Sequence, residues 1–212
     1  MVNKKIRACD DVEEFEFNYA KNISVKNKLD YTPKIYTINF WHEFGDPKLY
    51  QAYFKVLDDA HEEDQIIFYF NSPGGSVHTL NLFLNALRRC RSKYILARVN
   101  YAASAAAFLA LYCDNIEFNT HSTLMLHTYS SGFWGKGQEV QADVDHTRKN
   151  YEDLIRYISR KILTVDEIEQ MLNGKDFYFT GEEAIKRLRA RAKEREKELK
   201  SKSKKIKKNE PK

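Results

Sequence analysis

The tightest constraint on this chain is a change of character between Tyr94 and Cys113. Tyr94–Val99 is a compact apolar run, the pattern of a strand covered on both faces. Ala102–Cys113 is rich in small, helix-favouring residues. Ser104 falls where the strand gives way to the helix. A hydroxyl there stands beside unpaired backbone N–H groups and the positive end of a helix dipole. Those features suit an attacking oxygen that must carry negative charge. They equally suit a plain N-cap serine.

The same strand-then-helix order recurs around this junction. Ile35–Phe40 alternates as a short strand, and Asp46-Pro47 reads as a helix start. Leu49, Tyr53, Val56, Leu57 and Ala60 then share one helical face. Gln65–Phe70 is a second apolar run, feeding Asn71-Ser-Pro-Gly-Gly-Ser76 and a helix with the stripe Leu80, Phe83, Leu84, Leu87. Ile116–Phe118 and Thr123–His127 follow as short strands. The expectation is an α/β fold of repeated β-α units around a parallel sheet.

The remainder is more loosely specified. Ser130–Gly137 holds three glycines and reads as a loop. Val140, Val144, Thr147, Tyr151, Leu154, Ile158 and Ile162 then mark a long helix from about residue 138 to 163. That stripe lies outside the β-α repeat and needs a partner surface. Thr164–Glu167 and Thr180–Glu183 are capping boxes opening two further helices. Asp176–Phe179 is a strand-like link between them. In residues 1–34, Phe15, Phe17 and Tyr19 alternate as a strand would, and the segment is expected to be a partly ordered arm.

Composition excludes several classes. No apolar run approaches the roughly 20 residues that span a bilayer, and the N-terminus lacks an apolar signal core. A cytosolic protein is expected. Three scattered cysteines, with no CxxC pair, give neither a disulfide framework nor a cysteine zinc site. The formal charge of +5 is uneven. Residues 185–212 hold 14 Lys/Arg against 4 Asp/Glu, and the other 184 residues are net −5. The basicity therefore belongs to a tail over 191–212, expected to be largely disordered and solvated rather than bound to nucleic acid.

Three features bear on chemistry. Ser72-Pro-Gly-Gly75 at a strand end exposes backbone N–H groups able to hold an oxyanion or a peptide strand, or is a plain turn. His127 ends a strand at the sheet edge where ligands bind in open α/β sheets, or is a lone histidine. Asp176 precedes the apolar link and is placed to orient a histidine, or is an ordinary loop acid. His61 and His146 read as solvent-facing helix residues.

Taken together, Phe70–Val77, Ala102–Phe108, Met125–His127 and Asp176 with Thr180–Ala184 resemble the proteolytic subunit of the Clp protease, ClpP, in the ClpP/crotonase superfamily. The resemblance runs in order and spacing from about residue 35 to 188. It implies a serine endopeptidase with Ser104 as nucleophile, His127 as base and Asp176 as its orienting acid. The oxyanion donors it implies are the N–H groups of Gly75 and Ala105, with Gly74 and Ser130 in substrate binding. It implies a protease domain over 35–190, with residues 130–163 as a protruding handle. It further implies a ring homo-oligomer, two stacked heptamers enclosing a chamber, protein or peptide substrates, and no metal. No cofactor is implied except ATP through a separate AAA+ unfoldase, docking on a cleft to which Tyr69 and Phe83 contribute unless they are core.

Three departures stand out. Phe177 follows Asp176 where the family usually carries an arginine, the last helix runs on into basic residues, and residues 1–34 do not match the family's axial loops. Rival readings are a catalytically silent ring component, a crotonase-type acyl-CoA enzyme, and a viral shell-maturation protease.

Overall fold

A computed structural model describes residues 6–8, 31–130 and 135–208. One sheet carries the fold. Its strands are β1 (Ile6–Ala8), β2 (Ile35–Phe40), β3 (Gln65–Ser72), β4 (Tyr94–Ala103), β5 (Asn115–Leu126) and β6 (Phe177–Thr180). The order β1-β5-β4-β3-β2 is parallel throughout, and β6 pairs antiparallel with β5. The mixed α/β architecture follows the expected β-α repeat. The antiparallel β6 and the short β1 go beyond it. The expected strand around Phe15, Phe17 and Tyr19 lies outside the described residues.

Three helices fill the crossovers: α1 (Gln51–Asp59), α2 (Val77–Arg89) and α3 (Ala105–Tyr112). Asp46 opens the first by accepting the Lys48 N–H, but the leading turn Pro47–Tyr50 is a 3₁₀ turn. That tighter winding takes Leu49 out of phase with α1. Leu49 is therefore 74% exposed, correcting its place on the buried face, whereas Leu57 and Ala60 are buried. Ser76 caps α2, and Leu80, Phe83, Leu84 and Leu87 are all buried, as their spacing requires. Phe83 is thus core and not a docking surface.

The helices meet the sheet through an aromatic cluster. The Phe40 ring lies 5.0–5.6 Å from those of Phe44, Phe68, Phe70 and Phe83. Such pairs add about 0.5–1.5 kcal/mol each beyond simple burial. At the opposite strand ends, buried Asp64 accepts hydrogen bonds from Tyr31 Oη, the Lys34 N–H and the His61 N–H. His61 lies beyond the end of α1, half-buried against the Tyr31 ring at 4.1 Å, not on a solvent-facing helix. His146 is exposed on a helix, as read.

The C-terminal third adds α4 (Gly137–Ser159), α5 (Val165–Leu172) and α6 (Gly181–Lys208). The buried residues of α4 are Ile155, Ile158 and Ser159, all in its last turns. The earlier stripe residues Val140, Val144 and Thr147 are only half-buried. Both capping boxes form, with Glu167 and Glu183 accepting from the N–H groups of Thr164 and Thr180. α6 does not stop near residue 190 but stays helical to Lys208. Good helix formers, and pairs such as Glu196 with Lys200 one turn apart, extend it where an unstructured tail was expected.

Candidate active site

Ser104 takes its position from its backbone. β4 continues past Val99 to Ala103, and α3 starts at Ala105, so the turn between them is a single residue. To make that turn Ser104 adopts φ +54° and ψ −127°. Among the described residues it is the one non-glycine residue with positive φ. This region is costly for an L residue, about 1–3 kcal/mol, and such strain gathers at functional sites. Both neighbours hold the conformation. The Ser104 N–H donates to Met125 O at 3.0 Å, and Ser104 O accepts from the Phe108 N–H at 3.1 Å.

The hydroxyl does not cap α3. It lies 2.7 Å from His127 Nε2 instead. Leu124–Leu126 runs beside Ala102–Ala103 in parallel register, which carries His127 to the same sheet edge as Ser104. The plain-cap reading of Ser104 and the lone-histidine reading of His127 therefore give way together.

The Ser72–Gly75 turn closes the third side. Buried Ser72 donates to His42 O at 2.6 Å and accepts the Gly74 N–H at 3.2 Å. Gly74 has φ +94°, and a Cβ there would sit 2.5 Å from Ala103 O and 2.8 Å from Ala105 N. Only glycine lets this turn lie against the Ser104 elbow. Gly75 forms a parallel bridge with Phe44, in which Phe44 N–H donates to Gly74 O and Phe44 O accepts from the Ser76 N–H. In that arrangement the bridge uses both polar groups of Phe44 and turns those of Gly75 away from it. Among the described residues no acceptor takes the Gly75 or Ala105 N–H. Two uncommitted donors thus flank the serine at a helix N-terminus.

Asp176 is less engaged. The β5–β6 ladder ends at Leu126 opposite Phe177, and one further rung would set His127 opposite Asp176. Residues directly opposite in a ladder project to the same face. Asp176 is nevertheless exposed, and no hydrogen bond joins it to His127 among the described residues. Ser130 is also exposed, three residues beyond His127 at the start of the glycine loop.

A small apolar cleft beside Ser104, Ala105 and His127 was not foreseen as such. Leu80, Tyr151 and Leu154, read in the sequence as helix stripes, form its walls with Phe108. Nothing local marks that role, because α2, α3 and α4 converge there from separate parts of the chain. Among the described residues no group of three or more His, Cys, Asp or Glu gathers as a metal site. No described helix is long and apolar enough to cross a membrane.

Comparison with known families gives one finding. The family model described as Clp protease matches residues 46–187, a span that contains the Ser72–Gly75 turn, Ser104, His127 and Asp176.

Proposed function

The chain belongs to the Clp protease family, and from that premise we propose that it is a serine endopeptidase using Ser104, His127 and Asp176. The observation that carries the proposal is the 2.7 Å contact between Ser104 Oγ and His127 Nε2, made by a strained serine beside two uncommitted N–H groups.

In this mechanism Ser104 Oγ attacks the scissile carbonyl carbon while His127 Nε2 takes its proton. The carbonyl oxygen becomes an oxyanion held by the N–H groups of Gly75 and Ala105. Collapse breaks the C–N bond, and His127 passes the proton to the leaving amine. Water, deprotonated by His127, then attacks the acyl-enzyme. The carboxylate product leaves and the proton returns to Ser104. Asp176 steadies the His127 imidazolium by closing the unformed rung between β5 and β6. Gly74 and Ser130 border the path of the peptide. No metal enters these steps, and ATP enters only through a separate AAA+ unfoldase.

Members of this family typically oligomerise, and we extend that to a ring enclosing the sites, stacked as two heptamers in the cytosol. Two features support self-association. A parallel sheet is normally covered on both faces, yet Ile35, Trp41 and Tyr101 are exposed at 65%, 53% and 38%. The first four turns of α4 also carry no buried residue, as a handle awaiting a partner would.

The test is mass spectrometry of the intact assembly after treatment with a serine-directed phosphonate, beside turnover of a fluorogenic peptide. Labelling at Ser104, and loss of turnover by several orders of magnitude in Ser104→Ala, are expected. Wild-type turnover in that variant removes Ser104 from the role. One observation favours a second reading, a catalytically silent ring component: Asp176 is exposed and unbonded to His127. An assembled ring that resists labelling would decide for it.

A further inference from the structure

We propose that the outer face of α6 is a docking stripe for the phosphate backbone of a nucleic-acid duplex. The proposal does not rest on the peptidase reading, since it uses no residue of the Ser104 site.

The stripe exists because the segment is helical. The solvated tail expected from the sequence was an unstructured one, in which charges keep no fixed order. α6 instead runs as a helix from Gly181 to Lys208. Along it Lys186, Arg189, Lys193, Lys197 and Lys200 recur at steps of three and four, and all five are exposed. Lys204 and Lys207 continue the same spacing. At 3.6 residues per turn these seven positions fall within an arc of about 80° and span about 30 Å of helix. The acids from Lys186 to Lys208 are Glu194, Glu196 and Glu198, and none falls inside that arc. Ala184 and Leu188, on the opposite side, are buried, so the stripe faces away from the body. Lys200 pairs with Glu196 at 2.6 Å, but both are exposed, and such pairs contribute little and yield to a stronger partner.

A row of like charges on a rod fits a regular polymer of the opposite sign. The length of about 30 Å is close to one turn of a B-form duplex, whose phosphates place a negative charge about every 1.7 Å of axis. All of the stripe except Arg189 is lysine. Lysines meet phosphates as point charges and lack the planar fork that reads bases, so the contact is independent of base sequence. Residues outside 185–212 are net −5. The body therefore repels a polyanion, and the contact is confined to the helix. An anionic bilayer fits less well. A helix lying on a membrane needs a continuous apolar face. Between Arg189 and Lys208 the large apolar residues are Leu199 and Ile206 alone, and Arg195 and Lys202 interrupt the side they share.

The test is fluorescence anisotropy of the full chain with labelled DNA and RNA duplexes about two turns long, roughly 20 base pairs, each polymer in two unrelated sequences. At least one polymer should bind, with equal affinity for its two sequences. The logarithm of its binding constant should fall against the logarithm of salt concentration with a slope of about −4 to −6, since each neutralised phosphate contributes about −0.9. Lys197→Gln with Lys204→Gln should reduce that slope by about 2. Lys202→Gln with Lys205→Gln, two charges off the stripe, should change it much less. Glutamine matches lysine in helix propensity, so both double variants keep the helix. No binding of either polymer at about 50 mM salt, or equal slope changes in the two double variants, overturns the stripe. Tighter binding to phosphatidylserine vesicles than to either duplex also overturns it and assigns the helix to a membrane surface.

Discussion

Replacing Ser104 in two ways measures the strain at the elbow. Ser104→Ala and Ser104→Gly both remove Oγ, so both lose the 2.7 Å contact with His127. They differ in what they leave at φ +54° and ψ −127°. Alanine keeps a Cβ in a region open essentially to glycine, at a cost toward the upper part of about 1–3 kcal/mol. Glycine removes that cost but adds about 0.4–1 kcal/mol of unfolded-state entropy. Ser104→Gly should therefore be more stable than Ser104→Ala by about 1–2 kcal/mol. For a chain of 212 residues, each kcal/mol moves the midpoint by about 2–4 °C, so the two should melt about 2–8 °C apart. Thermal denaturation followed by circular dichroism, at equal subunit concentration, reads the difference directly. Equal concentration matters because assembly itself raises the midpoint. If Ser104→Gly melts at or below Ser104→Ala, the elbow is not strained and the structural case for a poised nucleophile fails.

Three further outcomes are expected. Gly75→Ala places a Cβ 2.6 Å from Phe44 O at φ +125°, so it should displace one oxyanion donor and lower kcat by about 10²–10³-fold; unchanged kcat on a fluorogenic peptide would exclude Gly75 as a donor. Burial works to raise the Asp64 carboxyl, but hydrogen bonds from Tyr31 and from the Lys34 and His61 N–H groups outweigh it and hold it below the ordinary aspartate value. Its stabilisation is present above the unfolded-state value of about 3.9 and is lost as pH falls through the lower folded value. Urea titrations from pH 6 to pH 3 should show a decline that Asp64→Asn flattens; parallel curves would refute it. Lys161 Nζ donates to the last carbonyls of α3, at Leu111, at Tyr112 (3.3 Å) and at Cys113 (3.0 Å). Lys161→Met should cost about 1–3 kcal/mol, since charged hydrogen bonds of this kind contribute about that much, and an unshifted melting midpoint would count against the cap.

What could be read ahead of the structure was local. The two Thr-x-x-Glu boxes, the Asp46-Pro47 start and the α2 stripe depend on residues a few positions apart, and each formed. Ser104 and His127 were legible because both fall at strand ends, at the sheet edge where open α/β sheets bind ligands. The φ of Ser104 was not legible. It depends on a strand that runs four residues further than its apolar core suggests and on Gly74 pressing in from another turn. The narrow cleft was hidden for a related reason. Tyr151 and Leu80 obey the same periodicity whether they line a core or a pocket. At the C-terminus the basic tail, poor in apolar residues, was expected to be largely disordered, yet α6 continues to Lys208, helped by pairs such as Glu196 with Lys200 one turn apart.

The grip of Lys161 on α3 has a mechanical consequence. That helix is eight residues long, about 12 Å, and seven of the eight are buried. Ser104 rides on its front end, while its rear end is held by Lys161, just past the last turn of α4. A close-packed rod of this kind has no slack to absorb a push. A tilt of α4 at Lys161 would therefore be passed along α3 to Ser104, and under the proposed mechanism a misplacement of 1 Å there would cost about a hundredfold in rate.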